Sequence, residues 1–211
     1  MFFEDRFHAA ELLADRLTRY KDRPDAIILA IPRGALQIGY ILARKLNLPL
    51  DVVLTKKIGA PGNPEFAIAA TSRQGDVVIR DEVFKTPEWQ AYIKEQAELL
   101  KPELDKKFLQ YHPSGESTEL KDKTVIIVDD GVATGNTLIS AIELIKKQDP
   151  AKIVIALPVG PADTIKRLKD FADEVVCVHQ PAEFRAIGQF YGNFEQVEDK
   201  QALELFNEAN R

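Results

Sequence analysis

Two adjacent carboxylates, Asp129 and Asp130, follow the apolar run 125–128 and precede a small-residue loop with two glycines, 131–135. The run predicts a strand buried on both faces, and apolar residues at helical spacing after Thr137 predict a helix. A strand that ends in acids and turns through glycine into a helix N-terminus provides anion-binding amides beside an acidic patch. The pattern therefore indicates a sugar-phosphate site, with carboxylates for the sugar hydroxyls or for a metal.

Basic residues follow two further predicted strands. Arg33 and Gly34 come after the apolar run 26–31, and Lys56 and Lys57 come after the run 51–55. Ligands of open parallel sheets bind beyond the carboxyl ends of the strands. The acids and both basic groups are therefore expected at one edge of a sheet. Taken alone, each basic group has a simpler interpretation, a solvated strand end for the lysines and a generic turn for Arg33.

The elements that must position these residues alternate between strand and helix. A helix is predicted over residues 5–20, and another begins at Ala35, where apolar residues recur at helical spacing. Five buried strands are predicted, at 26–31, 51–55, 125–128, 153–157 and 174–178. Strand–helix–strand order implies right-handed parallel crossovers, so the predicted fold class is a doubly wound, mostly parallel α/β sheet in a single domain over 1–211, with its core at about 26–180.

Three segments fall outside this alternation. The glycine- and proline-rich stretch 59–64 predicts an irregular loop at the start of a flexible segment, 59–73, and two short strands are predicted after that loop, at 66–71 and 77–80. Thr86-Pro87-Glu88 predicts a helix start within an insertion, 86–122, in which Pro102 breaks or kinks the helix. The tail 180–211 is rich in aromatic residues and ends in a helix from Lys200 to Asn210.

Composition narrows the class of protein. The formal net charge is −5, with 45% hydrophobic and 29% charged residues, which is typical of a globular chain and unfavourable for nucleic-acid or membrane-surface binding. No apolar run approaches the length of about eighteen residues that a membrane span needs, and acids near Met1 argue against a signal peptide. The single cysteine, Cys177, lies in an apolar run and forms no internal disulfide. A cytoplasmic location is expected.

The segment VIIVDDGVATGNT, residues 125–137, resembles the signature of the type I phosphoribosyltransferases at each position of the motif. The order of the basic groups, the flexible segment and the signature is also similar to that family, over about residues 26–195. The Pro-Arg-Gly loop, the GAPGNPEFAIAA segment and the aromatic tail look most like bacterial members described only as predicted phosphoribosyltransferases. Dinucleotide-binding and P-loop interpretations are disfavoured, because neither glycine pattern is present.

The resemblance implies a donor, 5-phosphoribosyl 1-diphosphate (PRPP), with Mg²⁺ held mainly by the donor and water rather than by a protein cage. It implies that Asp129 and Asp130 hold the ribose hydroxyls and that the residues at the helix start bind the 5-phosphate, namely Ala133, Thr134, Gly135, Asn136 and Thr137. Diphosphate is expected to bind Arg33 and Gly34, in a loop that often contains a cis peptide in this family, together with Lys56 and Lys57. Asp129, Asp130, Lys57 and, by analogy alone, Glu65 form the expected catalytic set.

The acceptor is harder to assign. The family commonly builds a hood over the base from its termini, and Phe184, Phe190 and Tyr191 are candidates for it, or else core residues. Enzymes acting on hypoxanthine and guanine usually carry an aspartate where this chain has Ala133, and a lysine that residues 156–160 lack. Adenine-specific enzymes match better at Ala133, but their base-recognition features are not evident. The 6-oxopurine assignment is therefore disfavoured, and the expected acceptor is an unidentified nitrogenous base.

We expect a cytoplasmic, Mg²⁺-dependent homodimer that transfers a phosphoribosyl group to such a base and does not bind nucleic acid or membrane. One alternative is a non-catalytic regulatory protein that binds PRPP with the same fold. Another is an unrelated nucleotide-binding α/β protein, which thermal stabilisation by PRPP, but not by NAD or ATP, would exclude.

Overall fold

The computed structural model describes residues 1–211, which form two compact units. The first comprises 1–53, 118–135 and 149–211, and the second comprises 54–117 and 136–148. The strands are β1 Ala26–Ala30, β2 Leu50–Val52, β3 Thr55–Ala60, β4 Asn63–Ser72, β5 Val77–Ile79, β6 Thr124–Val128, β7 Lys152–Val159 and β8 Glu174–His179. The α-helices are α1 Arg6–Arg16, α2 Ala35–Leu46, α3 Pro87–Tyr111, α4 Asn136–Lys146, α5 Ala162–Leu168 and α6 Asp199–Ala209. The single domain over 1–211 stays a prediction.

The first unit is built on a five-stranded parallel sheet in the order β2-β1-β6-β7-β8. Every residue of β1 and β6 is buried, which explains why both strands read as continuous apolar runs instead of alternating patterns. β1 and β6 are central neighbours, with Ala30 opposite Val128 at their carboxyl ends. The predicted mostly parallel α/β fold is confirmed, and the loops after β1 and β6 emerge side by side.

Both chain termini meet in the first unit. Phe3 N–H donates to the carbonyl of Phe190 at 2.8 Å, and Gly192 N–H donates to the carbonyl of Phe3 at 2.8 Å. The buried rings of Phe3 and Tyr191 lie 5.2 Å apart between centroids. We call residues 3–6 together with 190–195 the terminal hood. The predicted contribution of the termini is thus present as a short paired segment.

The second unit is an antiparallel sheet, β3-β4-β5, with the 25-residue helix α3 and helix α4 packed against it. Its core contains Ile58, Ile68 and Ile93. The two short strands predicted after the loop are confirmed by β4 and β5. Pro102 lies inside one helix that runs from Pro87 to Tyr111, so it does not break the helix, and the alternative that it kinks the helix stays a prediction.

Two predictions about residues 51–64 are wrong. The strand predicted over 51–55 ends at Val52, and the chain enters the second unit, so Lys56 and Lys57 lie within β3 rather than at the end of a parallel strand. Residues 59–64 are not an irregular loop: β3 and β4 form a hairpin that turns at residues 61–62. Antiparallel pairing with a β-bulge near Gly59 accommodates the glycines, and Pro64 lies near the start of its strand, where proline is tolerated.

Candidate active site

Asp129 and Asp130 lie at the carboxyl end of β6, as predicted, and both are half-buried. The Asp130 backbone N–H donates to Oδ1 of Asp129 at 2.9 Å, which fixes the first carboxylate close to the chain. Oδ2 of Asp130 accepts a hydrogen bond from Nε of Arg6 at 2.8 Å. The two acids therefore have different partners: Asp129 has a backbone amide, and Asp130 has a buried guanidinium.

This difference separates the protonation behaviour of the two acids. Burial raises the pKa of Asp129 well above the ordinary range of an aspartate, and the charge of Asp130 raises it further. Burial also raises the pKa of Asp130, but the hydrogen bond and the charge of Arg6 oppose that rise. Arg6 thus favours the ionised form of Asp130, and Asp129 is the member of the pair that takes up a proton first.

The loop after β1 lies against this acid pair. A methyl group at Gly34 would lie 2.3 Å from Oδ2 of Asp130 and 3.1 Å from Nε of Arg6, so only glycine allows the approach. The Pro32–Arg33 peptide bond is cis. Nη1 of Arg33 lies 3.6 Å from a carboxylate oxygen of Asp199, whose side chain is 62% exposed. An exposed ion pair of this kind is weak, so an anionic ligand could replace Asp199 at Arg33.

The small-residue loop after the acids leads into helix α4. Ala133 and Thr134 are exposed, and Gly135 has a φ of 75°, the left-handed region that favours glycine. Helix α4 begins at Asn136, and Thr137 in its first turn is exposed. The predicted turn into a helix N-terminus is confirmed, and such a turn offers backbone amides to an anion.

Helix α5 supports the same loop from the first unit. The Thr164 hydroxyl donates to the carbonyl of Ala133 at 2.7 Å, and Nη2 of Arg167 donates to the carbonyl of Thr134 at 2.6 Å. These bonds turn two loop carbonyls towards α5. The neighbouring amides are therefore held in place for an anion. No local sequence pattern links Thr164 or Arg167 to a loop about thirty residues earlier, so neither residue could be predicted from the sequence.

If the loop binds the 5-phosphate of PRPP, as the family resemblance implies, Arg167→Met should weaken that binding by roughly 3- to 10-fold, the effect of one lost hydrogen bond worth about 1 kcal/mol. Titration calorimetry with Mg²⁺ and PRPP measures it. Lys166→Met is the matched control, since Lys166 is an exposed basic residue of the same helix and its substitution removes the same charge. Equal losses in both variants would mean that the effect is one of net charge and not of the loop.

The aromatic candidates of the tail divide into two groups. Phe190 and Tyr191 are buried, and Phe184 is half-buried with its ring 5.5 Å from that of Phe190. The Tyr191 hydroxyl donates to the backbone carbonyl of Asp130 at 2.6 Å, and burial raises the pKa of that hydroxyl. Tyr191 therefore braces the acid pair from the hood, and Phe184 is the most accessible of the three rings.

Lys56, Lys57 and Glu65 belong to the second unit. Lys56 Nζ lies 2.6 Å from a carboxylate oxygen of Glu103 on α3, and Lys57 is exposed on β3. Glu65 is exposed near the start of β4. Their roles towards diphosphate and in catalysis stay predictions. The structure joins the Arg33–Gly34 loop to the acids in one unit, and it places the lysines on a separate sheet.

Arg6 is the main functional candidate that the sequence analysis missed. It lies 124 positions before Asp130, so no local spacing connects the two. A signal was nevertheless present: Arg6 falls at helical spacing with the apolar residues Ala9, Ala10 and Leu13. An arginine on the buried face of a predicted amphipathic helix is expected to have an acidic partner elsewhere in the fold.

The chain holds no group of three or more histidine, cysteine, aspartate or glutamate residues that could bind a metal ion by itself. Two carboxylates, one of them paired with Arg6, do not fit a metal cage built by the protein.

No helix combines the length and apolar character needed to cross a membrane.

Comparison with known proteins places this geometry in a family context. The model of the phosphoribosyl transferase domain matches residues 5–191. The crystal structure of TT1426 from Thermus thermophilus matches this chain with 34% sequence identity and a TM-score of 0.87. The match covers 100% of both chains. Two Mycobacterium tuberculosis relatives, from strains CDC 1551 and H37Rv, carry provisional names as phosphoribosyl transferases. Each is 34% identical over 210 residues, which are 99% of this chain and 47% of the relative. The chain thus spans about half the length of the curated relatives it matches.

Proposed function

The chain belongs to the phosphoribosyltransferase family, and we propose that it transfers the 5-phosphoribosyl group of PRPP to a small nitrogenous base and releases diphosphate. The observation that carries the proposal is the direct contact between two separate motifs. The loop at Gly34 lies against Oδ2 of Asp130, at the end of the neighbouring strand. A ligand with a sugar diol next to a diphosphate needs both motifs at one place.

Each group has a defined task in this reaction. The carboxylates accept hydrogen bonds from the ribose hydroxyls, and the loop Ala133–Thr137 binds the 5-phosphate through backbone amides and hydroxyls. A nitrogen lone pair of the base attacks C1 of the ribose while the C1–O bond breaks. The bonding electrons leave on diphosphate, and any proton on the attacking nitrogen leaves to solvent or to a general base, for which Glu65 is the candidate. The positive charge that develops on the sugar lies near the acid pair.

The leaving group needs cationic partners. Arg33 is the candidate in the first unit, because its present partner Asp199 is exposed and exchangeable. Lys56 and Lys57 are proposed for the same role. Mg²⁺ is proposed to enter with the donor, bound by diphosphate oxygens and water, where it neutralises charge on diphosphate.

A non-catalytic PRPP-binding regulator is the second candidate, and Ala133 is compatible with it, as it is with enzymes that act on adenine. Ala133 is exposed in the loop where a proton-transfer aspartate is expected in enzymes of the 6-oxopurine class, and an alanine cannot move a proton. Such a regulator would bind the donor at the same acids and loop, without consuming it.

Diphosphate release from PRPP, measured with Mg²⁺ and a panel of purine and pyrimidine bases, separates the candidates. Turnover with one base supports the transferase. Donor binding by calorimetry without turnover on any base supports the regulator. Absence of PRPP binding, with thermal stabilisation by ATP or NAD instead, would overturn both.

A homodimer is proposed as well, since Leu99 and Leu109 of α3 are 66% and 52% exposed, and light scattering of the full chain tests it. A cytoplasmic location stays a prediction.

A further inference from the structure

Arg6 is a buried charge in an unfavourable helical position. It is 6% exposed and occupies the first residue of α1, where the positive end of the helix dipole disfavours a cation. The side chain of Asp5 already caps this end by accepting from the backbone N–H of His8 at 2.8 Å. Helix formation therefore gives no reason for an arginine here. Its reason must lie in what the guanidinium contacts.

The guanidinium is fixed on three sides. Nε donates to Oδ2 of Asp130 at 2.8 Å, and Nη1 donates to the carbonyl of Glu195 at 2.8 Å. The guanidinium carbon lies 3.9 Å from the ring centroid of Phe194, which stacks on Tyr191 at 4.9 Å. Tyr191 in turn donates to the backbone of Asp130 at 2.6 Å. Both terminal segments of the hood thus converge on one carboxylate.

We infer that Arg6 is a positioning residue for the donor: it favours the ionised form of the Asp130 carboxylate and holds it in one orientation, so that its other oxygen, Oδ1, is presented to the ribose hydroxyls. The inference rests on the proposed function. Arg6 occupies Oδ2, and Gly34 packs on the same oxygen, so Asp130 cannot rotate without breaking a hydrogen bond or meeting the loop. Arg6 also offsets one of two adjacent negative charges, which would otherwise repel a phosphorylated ligand.

The charged and titratable groups that face Asp130 are Arg6, Asp129 and the Tyr191 hydroxyl. Asp129 disfavours ionisation of its neighbour, and Tyr191 titrates far above neutral pH because it is buried. Arg6 is thus the group that favours the ionised form of Asp130. Removing the guanidinium should raise the pKa of Asp130 further, so donor binding should be lost at a higher pH as the solution is acidified.

The test measures the dissociation constant of PRPP with Mg²⁺ by calorimetry from pH 5.5 to 9 in four forms: wild type, Arg6→Met, Arg6→Lys and Arg16→Met. Arg16→Met is the matched control, since Arg16 lies on the same helix and donates to the carbonyl of Cys177 at 2.8 Å. We expect Arg6→Met to weaken binding roughly 10-fold at pH 7. The acid limb, which is the fall in binding as the pH decreases, should move up by about one pH unit in Arg6→Met and should stay close to its wild-type position in Arg6→Lys. Arg16→Met should match wild type.

A purely structural role would weaken binding equally at every pH and leave the acid limb in place, and that result overturns the inference. The double variant Arg6→Met/Asp130→Asn guards against misfolding, because it removes both partners of the buried pair and should recover the unfolding midpoint without recovering donor binding. Recovery of binding in the double variant would also overturn it. Wild-type protein that fails to bind PRPP would instead refute the proposed function.

Discussion

Asp129→Asn should make the protein more stable and nearly inactive. Because the folded structure raises the pKa of Asp129 above its value in the unfolded chain, ionising it at neutral pH costs folding free energy. Asparagine keeps the shape and the acceptor for the Asp130 amide but carries no charge. We expect the thermal midpoint to rise by roughly 2–4 °C at pH 7.5, which corresponds to about 1 kcal/mol for a chain of this size. Calorimetric unfolding scans measure it.

The sign of the pH dependence follows from the raised pKa. The gain should be absent below about pH 3, where Asp129 is protonated in both states, and should grow as the pH rises through the ordinary aspartate range towards the folded pKa. Donor use, measured as kcat/KM for diphosphate release, should fall roughly 10- to 100-fold, because an amide replaces the proposed charged acceptor of the ribose hydroxyls.

The matched variant is Asp130→Asn, which should lower activity similarly but gain less stability than Asp129→Asn, because Arg6 offsets part of the cost of ionising Asp130 and loses its charged partner in the variant. Two neighbouring acids thus respond differently to one substitution. Equal stability effects would show that Arg6 does not distinguish the acids, and retained activity in Asp129→Asn would remove that residue from the donor site.

The sequence predicted the centre of the site because the signals there are local. The apolar run 125–128 is buried on both faces, the two acids follow it directly, and a glycine marks the turn into α4. The sequence also predicted that Gly34 and the acids lie at the same edge of the sheet, since the loops after parallel strands emerge on one side. What could not be predicted is how closely Gly34 approaches Asp130: a methyl group at Gly34 would lie only 2.3 Å from Oδ2 of Asp130, which excludes a side chain there.

The errors occur where tertiary pairing outweighs local composition. Glycines and prolines at residues 59–64 favour a loop by propensity, yet β3 and β4 pair there as a hairpin. A methyl group at Gly59 would lie 2.4 Å from the carbonyl oxygen of Pro64. Glycine therefore allows the two strands of the hairpin to pack closely here, and it does not mark a flexible loop. Arg6 was missed for a related reason: its partner comes from the opposite part of the chain, and only docking of α1 brings them together.

Gly34→Ala should abolish donor use while the backbone tolerates the change. Gly34 has φ −57° and ψ −39°, which alanine adopts readily, so conformation alone gives no penalty. Its methyl group, however, would overlap Oδ2 of Asp130 and press on Nε of Arg6. Either the carboxylate turns away from Arg6 or the Arg33 loop withdraws from the acids. Both responses separate the ribose and diphosphate contacts that the proposed reaction needs together, so kcat/KM for PRPP should fall at least roughly 100-fold.

Gly39→Ala provides the control on the same helix. There the methyl group would lie 2.7 Å from Cδ1 of Leu50 and 3.3 Å from Cβ of Ala30, in the core and away from the acids. Both variants should lose about 1–3 kcal/mol of unfolding free energy through overpacking. Only Gly34→Ala should lose PRPP binding in calorimetry and diphosphate release in the assay. If both variants keep wild-type donor use at matched stability, then the contact between Gly34 and Asp130 is a packing contact only, and the site must be assembled differently.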